Sequence, residues 1–465
     1  MNYSAANTDL WNAMLQFGIL SGIMLLANVI RRKVPFVRKS LMPTAVLAGF
    51  IAFILRNLGI LQLDGRLMEN ITYHTIALGF ISLSLRVIKK QEPVSEEYLT
   101  GPKSGALIVS TYLVQGIMGV IITILLSFSF SPGLFKAAGI LLPMGYGQGP
   151  GQANNIGATY EQLGFVGGQS FGLSIAAAGF VCACIVGVIY INVLHRKKRL
   201  EIKPYNEIAE SLTVEDFQDQ NEIPISQSVD RLSVQIAMVL FVYLLTYLFS
   251  LSLTNLLATI SADLAATINP LIWGFNFIIG SLIAMGFKGT IGWFKNKKWM
   301  IRQYPNNFLL DRISGFTFDY MIIAGIAAIN IEDLSGLWIP FILLSVTGGI
   351  ITFWYLTRLC KKIYPNYYYE GFLSMFGMLT GTISSGILLL REIDPSYKTP
   401  AATNLLSGSS FGILLGAPML ILIGLAPKSD SMLYLVLGLM VVYLALLLLF
   451  MLKVKRVGSR KSKSS

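Results

Sequence analysis

The sequence predicts an all-α protein that crosses a membrane many times, and three features lead to this prediction. Of its 465 residues, 54% are hydrophobic and only 13% are charged, whereas ordinary soluble domains have about 25% charged residues. Several stretches approach the roughly 20 apolar residues that a helix needs to cross a bilayer. The basic residues are concentrated in alternate connections between these stretches, which is typical of a membrane topology.

Eleven membrane spans are predicted, in two sets of five followed by one extra helix. The first set covers residues 11–30, 44–58, 76–87, 105–128 and 170–194. The second set covers residues 232–256, 268–287, 313–331, 337–359 and 402–425, and the extra helix covers 432–452. Between the sets lies a polar stretch, residues 195–231, that carries eight acidic residues and no long apolar run. We expect this stretch to be a cytoplasmic linker.

Two further segments, residues 137–165 and 369–390, are apolar but interrupted by glycine and small polar residues. If each segment enters and leaves the membrane on one side, and the N-terminus is outside, the cytoplasmic segments hold 32 basic residues and the outer ones 4. Such an asymmetry agrees with the positive-inside rule and places the C-terminus in the cytoplasm. The net charge of +12 is then a sign of topology, and it gives no reason to expect binding to nucleic acid.

The order of elements repeats. Residues 1–194 and 232–425 each contain four spans, an interrupted segment and a fifth span, while residues 426–465 contain the extra helix and a basic tail. Because five spans is an odd number, the second repeat is inverted relative to the first. Inverted repeats with interrupted helices are typical of secondary transporters, and their substrate site lies where the interruptions meet.

The first interrupted segment combines alternating glycines with prolines and side-chain amides. Pro143 and Pro150 are expected to break a helix, and a half-helix starting after Gly151 would favour an anion at its N-terminus. The candidate substrate residues are Gly147, Gln148, Gly149, Gln152 and Asn155. Gly145 and Gly151 are candidate sources of carbonyl ligands for Na⁺. The alternative is a tight extracellular turn; a phosphate-binding loop would need a Gly-Lys-Ser/Thr ending, which is absent.

The second interrupted segment carries hydroxyl groups instead of amides, and a hydroxyl can bind either a carboxylate or a cation. Its candidate substrate residues are Thr380, Gly381, Thr382, Ser384 and Ser385, with Thr382 also a candidate cation ligand. The alternative is a small-residue packing face. Arg391 follows, and it is expected either to pair with a substrate carboxylate or to pair with Glu392 or Asp394.

Asp319 lies within the eighth span, where a carboxylate costs roughly 2.5–3.5 kcal/mol on insertion scales. It is a candidate cation ligand or proton carrier; the alternative is an acid near the membrane surface that pairs with Arg312. The cysteines all lie in apolar spans, and the two histidines are far apart. We therefore expect no transition-metal site and no organic cofactor.

Short motifs in both interrupted segments resemble the sodium/glutamate symporter family. They are Gly145-Tyr146-Gly147-Gln148-Gly149, Leu163-Gly164-Phe165, Gly377, Gly381-Thr382, Arg391 and Asp394-Pro395-Ser396. The sequence departs from the family pattern in the added Pro150-Gly151, in the loss of glycine alternation in the second half, and in the eleventh helix.

The resemblance implies Na⁺-coupled uptake of glutamate across the cell (inner) membrane by a homodimer, with a mobile transport unit beside a static scaffold. The α-ammonium group of glutamate would need an acceptor, for which Asp319, Gln148 and Asn155 are the candidates. An H⁺- or Na⁺-coupled transporter of another mono- or dicarboxylate is the nearest alternative. A membrane-embedded enzyme is a more remote one, since the sequence offers few groups for acid–base or metal chemistry.

Overall fold

The computed structural model describes residues 8–87, 100–197, 229–261, 265, 268–269, 272–297, 299, 304–394 and 399–453. Within these ranges the regular secondary structure is helical, with no strand. Most of the predicted linker at 195–231, the basic tail beyond 453, and Pro395-Ser396 lie outside the described residues.

The first half contains α1 Thr8–Lys33, α2 Pro35–Lys39, α3 Thr44–Asn57, α4 Gly65–Leu85, α5 Thr100–Ser129, α6 Pro150–Gln162 and α7 Gly168–Arg196. The second half contains α8 Val229–Ile260, α9 Asn276–Asn296, α10 Asn307–Ala328, α11 Trp338–Ile363, α12 Tyr368–Thr380, α13 Ile383–Ile393, α14 Ala401–Leu425 and α15 Asp430–Lys453. Every predicted span overlaps one of these helices.

Eight of the described helices are long and apolar enough to cross a membrane: α1, α5, α7, α8, α9, α11, α14 and α15. The chain is therefore an all-helical protein with helices suited to a membrane. Helix α3 is apolar but has only 14 residues. Helices α4 and α10 have 21 and 22 residues.

Helix α4 begins 11 residues before the predicted start of the third span, at residue 76. Asp64 caps it by accepting a hydrogen bond from the Arg66 amide, 2.9 Å away. Its first turns contain polar residues such as Glu69 and His74. These residues are helical, but their low hydropathy excluded them from the predicted span. The predicted span at residues 76–87 therefore covers only the C-terminal half of this helix.

The helices form two bundles. The first bundle comprises α1, α3, α4, α8, α9 and α10, with its apolar cores around α4 and α10. The second bundle comprises α5, α7, α11, α14, α15 and both interrupted segments, with one large core. Helices at equivalent places in the two halves pack together, α4 on α10 and α5 on α11.

Helix α15, for which the sequence suggested no role, packs along α5 in the second bundle. Met440 lies at Gly116 of α5, where a Cβ would be 2.5 Å from the methionine methyl group. The Tyr443 hydroxyl donates to the Leu415 carbonyl of α14, and Asp430 pairs with Lys136 at the start of the first interrupted segment. The extra helix thus closes one side of the second bundle.

Candidate functional site at two interrupted helices

The first interrupted segment is a helix with a single break. A 3₁₀ turn, Lys136–Ile140, leads into a π-helical turn, Pro143–Gly147. The helix stops at Gly149, whose φ of +86° is a left-handed value that favours glycine. The expected break at Pro143 is therefore wrong: this proline occupies the first turn of the π-helix, where its missing N–H costs little. Helix α6 then begins with Pro150 in its first turn, slightly earlier than predicted.

The second interrupted segment has the same form. Helix α12 ends at Thr380 and α13 begins at Ile383, so the break consists of Gly381 and Thr382. Thr382 is extended, with φ −142° and ψ 173°. Its carbonyl accepts the first helical hydrogen bond of α13 from the Gly386 amide, 3.1 Å away.

The two breaks touch each other. A Cβ placed on Gly149 would lie 3.2 Å from Cγ2 of Thr382 and 3.5 Å from the carbonyl oxygen of Gly381. Helices α6 and α13 therefore both begin at this point. Neither has a side chain that caps its first turn. Their first N–H groups have no partner within the helix, and both helix dipoles favour negative charge there.

Four buried side-chain oxygens at or beside the breaks have no hydrogen-bond partner among the described residues. They are Gln115 Oε1, Gln152 Oε1, Thr382 Oγ1 and Ser385 Oγ. A buried polar atom without a partner costs about 1–3 kcal/mol, so such atoms in native proteins usually bind an ordered water, an ion or a ligand. The breaks thus bring N–H groups that have no partner within their helices together with unpaired side-chain oxygens.

Gln115 was not among the predicted site residues. Its Nε2 donates to the Leu379 carbonyl at 2.9 Å and to Thr352 Oγ1 at 2.8 Å, which ties α5 to α11 and α12. Its Oε1 would lie 3.0 Å from a Cβ placed on Gly147. One feature of the sequence could have identified it: Gln115 is the only amide side chain in the 30 residues of α5.

A cavity of about 230 Å³ lies between the two bundles and reaches the breaks. Gly147, Gln148, Gln152 and Thr382 line it at one end. The first bundle contributes residues of α4, α9 and α10, and the second contributes residues of α5 and α14. Its volume is slightly below the roughly 300–1,000 Å³ of typical ligand pockets, so it suits a small molecule.

Several candidate residues have packing or structural contacts. A Cβ on Gly145 would lie 2.7 Å from the Ala176 amide of α7, and one on Gly151 would lie 2.4 Å from Ile76 Cδ1 of α4. These two glycines let the first interrupted segment approach its neighbours closely. Asn155 Nδ2 donates to the Gly274 carbonyl at 3.0 Å.

Among the candidate residues of the second half, some side chains are hydrogen-bonded within the protein and others have unpaired oxygens. Thr380 Oγ1 donates to the Phe376 carbonyl at 2.7 Å, within its own helix, whereas Thr382 and Ser385 have the unpaired oxygens described above. Arg391 is exposed and lies about 12 Å along α13 from Ile383, at 1.5 Å per residue. The Ser384 side chain lies outside the described residues.

Asp319 is half-buried in α10 and does not line the cavity. Among the described residues no side chain forms an ion pair with it. The guanidinium of Arg312, the alternative partner, lies over the Phe308 ring, 4.9 Å from its centre. Asp319 therefore does not share the lining of the cavity with Gln152 and Thr382.

Comparison of the sequence with models of known families finds no match, and comparison with curated proteins finds none either. The resemblance to the sodium/glutamate symporter family therefore stays a prediction.

Proposed function

We propose that this chain is a secondary active transporter that carries a small carboxylate into the cell together with Na⁺. The observation that supports it best is the meeting of two uncapped helix N-termini with four unpaired buried oxygens beside one cavity. The resemblance makes glutamate the first substrate to test. Location in the inner membrane and assembly as a homodimer are part of the same proposal.

The two kinds of group suit two ligands of opposite charge. The N–H groups of the first turns of α6 and α13 suit the carboxylate, because they lack partners within their helices and both helix dipoles favour an anion there. The oxygens of Thr382 and Ser385 suit Na⁺, a hard cation that prefers oxygen ligands. Bound Na⁺ would add positive charge beside the anion, and each ligand would then increase the affinity for the other.

The helix arrangement supports two inverted repeats. Such repeats would bring equivalent elements of the two halves together around a pseudo-two-fold axis. Helix α4 packs on α10, α5 packs on α11, and the break at Gly149 touches the break at Gly381. The position of the cavity between the two bundles supports transport by relative movement of the bundles.

The contacts between the bundles differ at the two ends of the site. Near the end of α10, the Ser170 hydroxyl donates to Asp333 Oδ2 at 2.8 Å, and Asn155 holds the Gly274 carbonyl. The cavity instead extends towards the C-terminal ends of α4 and α9, at Arg86 and Lys288. With the N-terminus outside, those ends are cytoplasmic, so this conformation is inward-facing in our proposal.

The test is uptake by purified protein in liposomes. We expect L-glutamate or another small carboxylate to accumulate under an inward Na⁺ gradient, and not under an equal K⁺ gradient or in protein-free liposomes. Ser385→Ala removes an unpaired oxygen and should raise the Na⁺ concentration needed for half-maximal uptake. Ser174→Ala, whose hydroxyl donates to the Ser170 carbonyl, is the control. If no carboxylate accumulates under Na⁺, the proposed function is wrong.

A further inference from the structure

The charged groups of the cavity are both cationic. Among the described residues that line it are Arg86 and Lys288, and there is no aspartate or glutamate. Arg86 is paired with Asp311, at 2.5 Å. Lys288 Nζ donates to the carbonyls of Ser84 and Arg86, at 2.7 and 2.8 Å. An ammonium group has three donors, so Lys288 retains one for the cavity, where its charge attracts anions.

Much of the remaining lining of the cavity is apolar, and part of it adjoins the breaks, where a Cβ on Gly151 would lie 2.7 Å from Met321 Sδ. Aromatic rings and methionine side chains from both bundles form this apolar wall: Phe80, Phe277, Phe318, Met321, Met378 and Met419. Such a wall binds a substrate by removing apolar surface from water, and methionine adapts to irregular shapes. It offers no strong acceptor for a charged group.

An amino acid would therefore bury its ammonium group in this cavity beside cations and neutral side chains. A buried charge without a counter-charge is costly. Asp319, the acid that the sequence suggested as its acceptor, does not line the cavity. The unpaired oxygens at the breaks, including Gln115 Oε1 and Gln152 Oε1, are acceptors. All of them are neutral, so none supplies the counter-charge that an ammonium group needs.

We propose that the substrate is a carboxylate with an apolar body and no ammonium group. Its carboxylate lies at the N-termini of α6 and α13, where Gly149 and Thr382 meet, and its body lies against the aromatic and methionine wall. This inference rests on the proposed function and specifies its substrate class. It favours the alternative of another carboxylate over glutamate.

Pairs of acids that differ only by the amino group test the inference. Uptake under an inward Na⁺ gradient would be measured by mass spectrometry for 3-phenylpropanoate against L-phenylalanine, and for pentanedioate against L-glutamate. The amine-free member of each pair should have the lower KM, by about 10- to 150-fold, which corresponds to 1.5–3 kcal/mol for one hydrogen bond to a charged group. Of the four, 3-phenylpropanoate should have the lowest KM.

The outcomes separate the inference from the proposed function. If L-glutamate is taken up as well as pentanedioate or better, the inference is wrong, while the transporter assignment stands. If none of the four compounds accumulates under Na⁺, and a wider set of carboxylates also fails, both are wrong.

Variants of Lys288 test its part in anion selection. Lys288→Gln should raise the KM for 3-phenylpropanoate about tenfold, as expected for a loss of about 1.4 kcal/mol, whereas Lys288→Arg keeps the charge and should change it less. Lys297→Gln, an exposed residue just past α9, is the control. The melting temperature of each variant shows whether loss of the contacts with α4 disturbs the fold. An unchanged KM in a folded Lys288→Gln protein would remove Lys288 from the site.

Discussion

Replacing Gly147 with alanine should impair transport while the protein still folds and reaches the membrane. A Cβ at this position would lie 2.4 Å from Cδ1 and Cε1 of Tyr112, whereas ordinary contacts begin at 3.4 Å. The Tyr112 ring, which is only 8% exposed, or the interrupted helix must therefore shift by about 1 Å. Such overpacking typically costs about 1–3 kcal/mol.

Both ways of relieving the clash damage the site. The Tyr112 ring lines the cavity, so a ring that swings into this space occupies the place of the substrate. If the helix moves instead, the N-terminus of α6 shifts relative to Thr382. A misplacement of about 1 Å in a site that positions its reacting groups can cost about 100-fold. We therefore expect kcat/KM for uptake to fall by one to two orders of magnitude.

The assay is the initial rate of Na⁺-driven uptake in liposomes over a range of substrate concentrations, normalised to incorporated protein. Gly438→Ala in α15 is the control, because a Cβ there meets no atom within 4 Å. If Gly147→Ala and Gly438→Ala transport equally well, the close approach at Gly147 has no role in the site.

Three further predictions concern other parts of the structure. Thr382→Val should lower affinity for Na⁺ or the substrate yet leave the melting temperature unchanged or higher, because the lost hydroxyl is unpaired; Thr123→Val, which loses a 2.6 Å bond to the Lys136 carbonyl, should be destabilised instead. Asp319→Asn should raise the melting temperature and keep Na⁺-driven uptake. The gain in free energy of unfolding should be at most roughly 2.5–3.5 kcal/mol, the cost of a carboxylate in the membrane; loss of uptake would restore Asp319 as a cation ligand. Arg56→Ala removes hydrogen bonds of 2.8 and 2.9 Å to the last carbonyls of α10, so thermal unfolding should show a loss of about 1.5–3 kcal/mol with KM unchanged.

The order of the helices could be predicted well from the sequence, since each of the eleven predicted spans overlaps a described helix, although only eight described helices are long and apolar enough to cross a membrane. Apolar runs locate most spans because the cost of exposing them to water depends on local composition. The two interruptions were also predictable, since glycine and small polar residues weaken a helix wherever it lies. The limits of this reasoning appear at Glu69 and His74, polar residues that are helical in α4, and at Pro143, which begins a π-helical turn.

The composition of the site depended on tertiary structure. The sequence identified Thr382, Ser385 and Gln152, whose oxygens are unpaired, but it grouped them with Asn155 and Thr380, whose side chains are occupied elsewhere. It did not identify Gln115, and the lining of the cavity by Lys288 was equally hidden.

The sequence by itself determined that this is a helical membrane protein with two interrupted segments, because hydropathy, charge distribution and glycine content act locally along the chain. Only the tertiary structure decided that the breaks at Gly149 and Gly381 touch, that Asp319 does not line the cavity, and that the described lining of the cavity contains cations but no acid. These features result from packing between helices that are hundreds of residues apart, and such packing leaves no local signal in the sequence.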